Sequence, residues 1–326
     1  MKDATLRGIG RIVRLAALLL GAASASAQAP AEWPSRPLRL VVPLGAGGNA
    51  DAVARALAKG LSERLQQPVV VENRPGAGGN LGMEHVARAA GDGYTLLFAV
   101  TAVAINPSLY KLRYDPQIDL VPVAQLNHVY LALFGRQDLP VTDPASLVGY
   151  IRAHPGKVSC ASTGGATQLA CLELQARTGV PMIQVLYKGP VPALTDLAAG
   201  TVDVLVDIPA AARPFVEAAR IKGLGTTAPH DLRSVVGELR TLSTALGGFV
   251  LPGWHGVFAP AGTPADVVER LNREINLVLQ ERRLLQLMHD NGLEPAGGAP
   301  TVLAERLRED RERYRRIAQE AGITPQ

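Results

Sequence analysis

Three short stretches of this sequence set paired glycines beside small polar residues: Ala46-Gly47-Gly48-Asn49, Ala77-Gly78-Gly79-Asn80 and Ser162-Thr163-Gly164-Gly165. Glycine allows sharp backbone turns and leaves consecutive N–H groups exposed. A helix that starts immediately afterwards adds its unpaired N–H donors and the positive end of its dipole. Together these hold an anion without any cationic side chain. One such stretch is explained by a tight turn, whereas three at the same kind of junction point to a site. Other chemistry is sparse. The six histidines, His85, His128, His154, His230, His255 and His289, form no i, i+4 pair and no H-E-x-x-H, so each reads as structural or surface and no metal is expected. Neither G-x-S-x-G nor G-x-x-x-x-G-K-[ST] occurs. No catalytic residue and no cofactor is assigned. Asp203 reads as a turn or edge residue, and Asp207, just before Ile208-Pro209, is placed to face a cleft.

The first stretch also supports a rival reading. Gly45-Ala46-Gly47-Gly48-Asn49-Ala50 fits a loose dinucleotide fingerprint, and Glu72 ends the next strand about where a ribose-binding acid would stand. Three features lower a dinucleotide-binding oxidoreductase: an export signal, Pro43 in the strand just before the loop, and a second glycine loop directly after Glu72.

The elements that must carry these loops alternate. Strands are expected at Arg36–Pro43, Val69–Glu72 and Tyr94–Val100, with helices at Asp51–Leu65 (Val53, Leu57, Leu61 and Leu65 spaced by four) and Asn80–Ala90. Strand–loop–helix repetition is the pattern of a parallel sheet covered on both faces, and parallel sheets bind ligands beyond the carboxyl ends of their strands. The middle continues with a strand at Val129–Phe134 and a helix capped by Thr142 or Asp143, with Pro144 in its first turn, running to Ala153. Strands at Lys157–Ala161, Ile183–Tyr187, Val202–Val206 and Gly223–Thr226 and helices at Ala166–Thr178 and Pro192–Ala199 complete it. The end is helical: Val267–Leu279, Glu281–Asp290 and Val302–Ala321, with the charges from Arg306 to Arg316 read as a solvated face.

The first residues stand apart. Lys2, Arg7, Arg11 and Arg14 precede an apolar run, Leu15 to Ala23, and Ala25-Ser26-Ala27 matches a cleavage pattern, so residues 1–27 read as a signal peptide and the protein as periplasmic. The leader's four bases and one acid supply a net three of the chain's formal +4, leaving about +1 and no electrostatic case for a nucleic-acid partner. The rest of the 326 residues suits two lobes of roughly 100–150 residues. The two cysteines, Cys160 and Cys171, read as small buried apolar residues in preference to a bridge, whose geometry is demanding.

At this point a family resemblance is visible. Trp33-Pro34-Ser35-Arg36-Pro37, the run from Val71 to Asn80, Asp92 to Leu96, Ile105 to Tyr110, Tyr187-Lys188-Gly189, Pro192 to Leu197 and Ala259 to Pro264 are collinear with the tripartite tricarboxylate receptors, the Bug family of periplasmic binding proteins, which this chain resembles. The resemblance implies a type II-like periplasmic-binding-protein fold: two doubly wound α/β lobes with a cleft and two crossing segments, lobe 1 from 28–126 and 253–326 and lobe 2 from 127–252. It implies a monomeric receptor that captures a small carboxylated solute, mainly through backbone N–H groups and ordered waters, and delivers it to a tripartite tricarboxylate-type membrane transporter. A receptor for a periplasmic sensor domain is the alternative.

The implied ligand-binding residues are Ala46, Gly47, Gly48, Asn49, Asp51, Gly78, Gly79, Asn80, Thr101, Ala102, Ser162, Thr163, Thr167 and Asp207. A carboxylate would sit between Gly47-Gly48 and Gly78-Gly79, Ser162, Thr163 and Thr167 would complete the cage, and an amine or hydroxyl end would reach Asp207. The chain departs from the family pattern at Ala50, which lacks a hydroxyl, at Gly165, Thr167 and Leu169, where Asn, Ser and His are usual, and at Pro190-Val191 after Lys188-Gly189. These departures bear on which ligand is bound.

Overall fold

The computed structural model describes residues 33–320, 322, 324 and 325; the leader read over residues 1–27 lies outside them. After β1 (Leu38–Val42), the four-residue spacing of Val53, Leu57, Leu61 and Leu65 becomes the buried face of α1 (Asn49–Leu65). Then follow β2 (Val69–Asn73), α2 (Asn80–Ala87), β3 (Thr95–Val100), a single turn α3 (Ala102–Ile105) and the long β4 (Leu120–Val129). β5 (Ala132–Arg136) leads to α4 (Pro144–Ala153), which Asp143 caps: Ser146 N–H donates to Asp143 Oδ1 (2.8 Å) and Asp143 N–H to Ser146 Oγ (3.1 Å). The chain continues through β6 (Ser159–Ser162), α5 (Ala166–Thr178), β7 (Ile183–Leu186), α6 (Pro190–Ala199), β8 (Val204–Asp207), α7 (Pro209–Glu217) and β9 (Ile221–Thr226). A hairpin of β10 (Leu232–Ser234) and β11 (Gly237–Leu239) and a turn α8 (Leu242–Ala245) precede β12 (Gly253–Pro260). α9 (Ala265–Val278), α10 (Arg282–Asp290), β13 (Leu293–Pro295) and α11 (Pro300–Glu320) close the chain.

Two twisted sheets result. The first has the order β13-β4-β12-β3-β1-β2, the second β7-β6-β8-β5-β9. β1 pairs in parallel with β2 and β3, and β6 in parallel with β7 and β8, which is the βαβ arrangement expected from the sequence. The sheets are nonetheless mixed. β12 runs antiparallel between β3 and β4, and β5 antiparallel between β8 and β9. The expected strand over Val129–Phe134 is in fact a junction: β4 ends at Val129 in the first sheet, and β5 begins at Ala132 in the second. β12, buried at all eight positions, and α7 have no counterpart among the expected elements.

The chain therefore passes between the sheets after Val129 and again before Gly253. Thr227, fully buried, joins both passages. Its hydroxyl accepts from Leu131 N–H (3.0 Å) and donates to Leu251 O (3.1 Å), and its own N–H and carbonyl bond Leu131 O (2.9 Å) and Leu251 N–H (3.1 Å). Arg306 of α11 adds a bond to Pro252 O (3.1 Å). Its Nε meets Asp310, whose Oδ2 also takes the indole N–H of the fully buried Trp254 (2.7 Å). Two of the charges read as a solvated face thus point inward and tie α11 to β12.

Cys160, on β6, and Cys171, on α5, are joined in a disulfide. The reading as two separate apolar side chains is corrected. Position 160 faces the helix that its own strand leads into, so the demanding geometry is met within one strand–helix unit. Cross-linking residues 11 apart restricts the unfolded chain. Cys160→Ala/Cys171→Ala is expected to lower unfolding free energy by about 2–3 kcal/mol in denaturant titrations, and the unreduced, denatured wild type to show no titratable thiol. A reactive thiol there would refute the bridge.

Candidate functional site

β1, β3, β6 and β8 all end toward the space between the two sheets, where a cavity of about 290 Å³ is lined from both sides. The first sheet's side supplies Leu44, Asn49, Ala50, Val100, Thr101, Ala102, Ile105, Asn106, Gly253, Trp254 and His255. The second supplies the stretch from Thr163 to Thr167 together with Asp207 and Ile208, and Val129 and Leu131 line the passage between them. Larger grooves of about 830 and 640 Å³ lie along α1 and α10 and along α11. Neither is lined by an unpartnered buried polar atom, whereas the smaller cavity is lined by two residues that carry one, Asp207 and His255.

Of the residues expected to touch a ligand, Asn49, Thr101, Ala102, Thr163, Thr167 and Asp207 line this cavity. Ala46, Gly47, Gly48, Asp51, Gly78, Gly79, Asn80 and Ser162 do not. Their positions show what they do instead. Ala46, Gly47 and Gly48 form an exposed loop ahead of α1. Asp51 is buried beneath it and accepts from Gly47 N–H (3.0 Å), Arg55 Nε (2.9 Å) and Asn73 Nδ2 (2.9 Å). The Arg55 hydrogen bond, opposed by burial and helped by Gly47 and Asn73, holds its carboxyl down at about 2. Asn73, the last residue of β2, also reaches Leu44 O (3.2 Å). Asp51 therefore lashes the first glycine loop to the end of the neighbouring strand, and it has already taken the Gly47 N–H.

The second loop stands one hydrogen bond from the cavity. Asn106, which lines it, donates to Asn80 Oδ1 (2.7 Å) and Gly78 O (3.0 Å). The turn and α2 press close to the strand ends: a Cβ on Gly82 would lie 2.8 Å from Arg74 O and 2.9 Å from Pro43 Cα. Thr101, at the end of β3, is fixed by β12, accepting from Trp254 N–H (2.7 Å) and donating to Trp254 O (3.2 Å). On the opposite side Gly164 and Gly165 take φ values of +93° and +55°, open to glycine but strained for other residues. The Thr167 hydroxyl locks that turn by accepting from Thr163 N–H and donating to Gly164 O (both 2.9 Å). The disulfide sits directly behind it, joining β6 to α5.

Asn49 and Ala50 are in the first turn of α1, and Ala166 and Thr167 in that of α5, so two helix N-termini converge on the cavity. Among the described residues, no lysine or arginine lines it. Its titratable residues are Asp207 and His255, from opposite sheets. Asp207 accepts from Ile208 N–H at Oδ1 (2.7 Å), while Oδ2 is buried and unpartnered; burial, against that one bond, pushes the carboxyl up to about 6. His255 stacks at a tilt on Phe98, its Nδ1 is buried and unpartnered, and burial lowers it to about 4. Its strand neighbour Asn127 is fully buried with both side-chain polar atoms unpartnered. The arrangement offers N–H donors and uncharged polar side chains to a small anion, beside one buried carboxyl, Asp207.

Several lining residues escape the sequence reading, among them His255, which reads there as structural or surface, and Asn106, which enters only as part of a family motif. Nothing near His255 in sequence marks it, because its neighbours in the cavity come from β3, α1 and the second sheet. Glu72, the acid of the dinucleotide reading, is paired with Arg74 (2.6 Å). Among the described residues no group of three His, Cys, Asp or Glu is placed to hold a metal, and no helix is long and apolar enough to cross a membrane.

Residues 53–323 match the family model described as the tripartite tricarboxylate transporter family receptor. The chain is 38% identical over 319 residues to a UPF0065 protein in the tcbD-tcbE intergenic region of Pseudomonas sp. strain P51, covering 96% of this chain and 95% of that one. Its fold is similar to the periplasmic binding protein BugD (TM-score 0.75, 31% identity, 90% of this chain and 100% of that one). It is also similar to an R. palustris protein solved with adipate (TM-score 0.76, 32% identity, 90% and 100% covered). MatC from Rhodopseudomonas palustris, solved with bound malate, is a further neighbour (TM-score 0.72, 32% identity, 87% and 99% covered).

Asp51→Asn keeps the shape but loses the charge that Arg55 and Gly47 bind. It is expected to destabilise the protein by about 1–2 kcal/mol at neutral pH. A depressed carboxyl stabilises above its unfolded value near 3.8 and loses that contribution as pH falls toward about 2. The difference between variant and wild type in denaturant unfolding should therefore shrink across that window; a constant difference would count against this role.

Proposed function

The chain belongs to the tripartite tricarboxylate transporter receptor family, and from that premise we propose that it is a non-catalytic periplasmic receptor for small dicarboxylates, exported by its first 27 residues. The observation that carries the reading is the cavity itself: two helix N-termini converge on a space without a basic side chain, flanked by buried polar atoms that have no protein partner. Such a place suits an anion held by main-chain donors. The adipate and malate in the two R. palustris neighbours set the class and size of ligand to try first.

In this reading the ligand meets Asn49, Thr101, Ala102, Thr163, Thr167 and Asp207. Ala46, Gly47, Gly48, Asp51, Gly78, Gly79, Asn80 and Ser162 shape and hold the loops that present the donors. Lobe 1 (28–126 and 253–326) and lobe 2 (127–252) close on the ligand by turning about the passages joined at Thr227. The ligand favours the closed form because only there do both helix N-termini reach it. The closed form then docks on a membrane transporter of the tripartite type.

Isothermal calorimetry against four- to six-carbon dicarboxylates, tricarboxylates, amino acids and neutral analogues tests the proposal. Dicarboxylates are expected to bind, and matched amides or esters to be rejected. Ala166→Trp, which places a large ring in the cavity at the first residue of α5, should weaken binding at least a hundredfold with the melting temperature unchanged. Binding confined to uncharged solutes would overturn the proposal.

A further inference from the structure

The cavity contains a charge problem. A dicarboxylate brings two negative charges to a space whose own carboxyl, Asp207, is buried and which, among the described residues, no lysine or arginine lines. Asp207 Oδ1 is occupied by Ile208 N–H, and Oδ2 has no partner. An ionised Asp207 would leave that oxygen as a second bare acceptor facing a ligand made of acceptors. A protonated one supplies the missing donor.

We infer that a dicarboxylate enters this cavity together with one proton, carried on Asp207 Oδ2 and shared with a ligand oxygen. This rests on the receptor reading above and deepens it. The step is proton uptake from water: Asp207–COO⁻, H⁺ and the ligand carboxylate become one O–H···O⁻ hydrogen bond, of the short, charge-assisted kind. Burial, opposed by the Ile208 N–H bond, already raises the carboxyl to about 6, and a second anion within hydrogen-bond reach drives it further in the same direction.

Among the described residues, no other titratable side chain at the cavity offsets this. The remaining titratable residue lining the cavity, His255, is held neutral by burial at about 4. The charged groups on elements packed against β8 are engaged elsewhere. Arg136 of β5 binds Asp138 and Asp203, the latter just before the opposite end of β8. Glu173 and Arg177 of α5 bind each other, as do Arg213 and Glu217 of α7. Asp196 of α6 takes the Tyr187 hydroxyl (2.7 Å). β6 carries no ionisable side chain outside its disulfide. An ammonium group on an ionised Asp207 would also fill the vacancy at Oδ2, but the converging positive ends of α1 and α5 oppose a cation there. The two readings have opposite pH dependence.

Calorimetry with malate and with adipate, in two buffers of different ionisation enthalpy, counts the protons directly. Wild type should take up close to one proton per ligand between about pH 7 and 8, with affinity falling nearly tenfold per pH unit across that range. Asp207→Asn, which keeps the shape and offers an amide donor, should bind with no proton uptake and a flat pH profile. His255→Gln should retain the uptake. Binding without uptake in wild type, affinity that rises with pH, or uptake that survives in Asp207→Asn or disappears in His255→Gln overturns the inference while leaving the receptor reading intact. Failure of every carboxylate to bind at any pH overturns both. Should Asp207→Asn not fold, the wild-type proton count decides alone.

Discussion

Every feature of the site depends on how the chain is held where it passes between the sheets. Two strands of polypeptide make that passage, at Tyr130-Leu131 and at Leu251-Pro252, and Thr227 bonds to both through its hydroxyl and its backbone. Neighbouring Thr226 adds a bond to Leu131 O (3.0 Å). These groups are buried, so loosening them would leave unsatisfied main-chain polar atoms, a cost the protein avoids. The paired passages keep the strand ends of the first sheet facing those of the second. Arg306, reaching Pro252 O from α11, extends the anchorage to the last helix.

With the sheets so held, the cavity wall is assembled from loops that are each fixed by a different device. Asp51 and Asn73 hold the first, Asn106 the second, and a main-chain clasp from β12 holds Thr101. The fourth is locked by Thr167 and backed by the disulfide. These bonds place donors without contributing a formal positive charge. An anion site built this way discriminates by geometry, because main-chain N–H groups point in fixed directions whereas a flexible lysine follows many ligands.

Much of this is legible in the amino-acid sequence. The glycine pairs, the four-residue spacing in α1 and the Asp143–Pro144 start of α4 are local signals, set by residues within one turn of each other, and local signals survive in a sequence. β4 and β12 are different. They are central antiparallel strands whose partners lie more than a hundred residues away, and β12 carries glycine and histidine where a strand pattern would show β-branched residues. The same distinction separates the site residues. Thr163 and Thr167 are visible because they flank a turn. His255 and Asn106 join the cavity only through tertiary contacts, and Gly47 loses its donor to Asp51, four residues on, a competition that spacing alone does not reveal.

The two cysteines lie within a single strand–loop–helix unit, eleven residues apart, and the chain has no others. Oxidation therefore has one intramolecular product. The link closes over a segment that a chain emerging from its N-terminus completes before β8, β9 or β12 have appeared. The turn that holds Thr163 and Thr167 can consequently be stapled while the first sheet still awaits β12 and β13. Each cysteine has a single intramolecular partner, so the pairing needs no reshuffling afterwards.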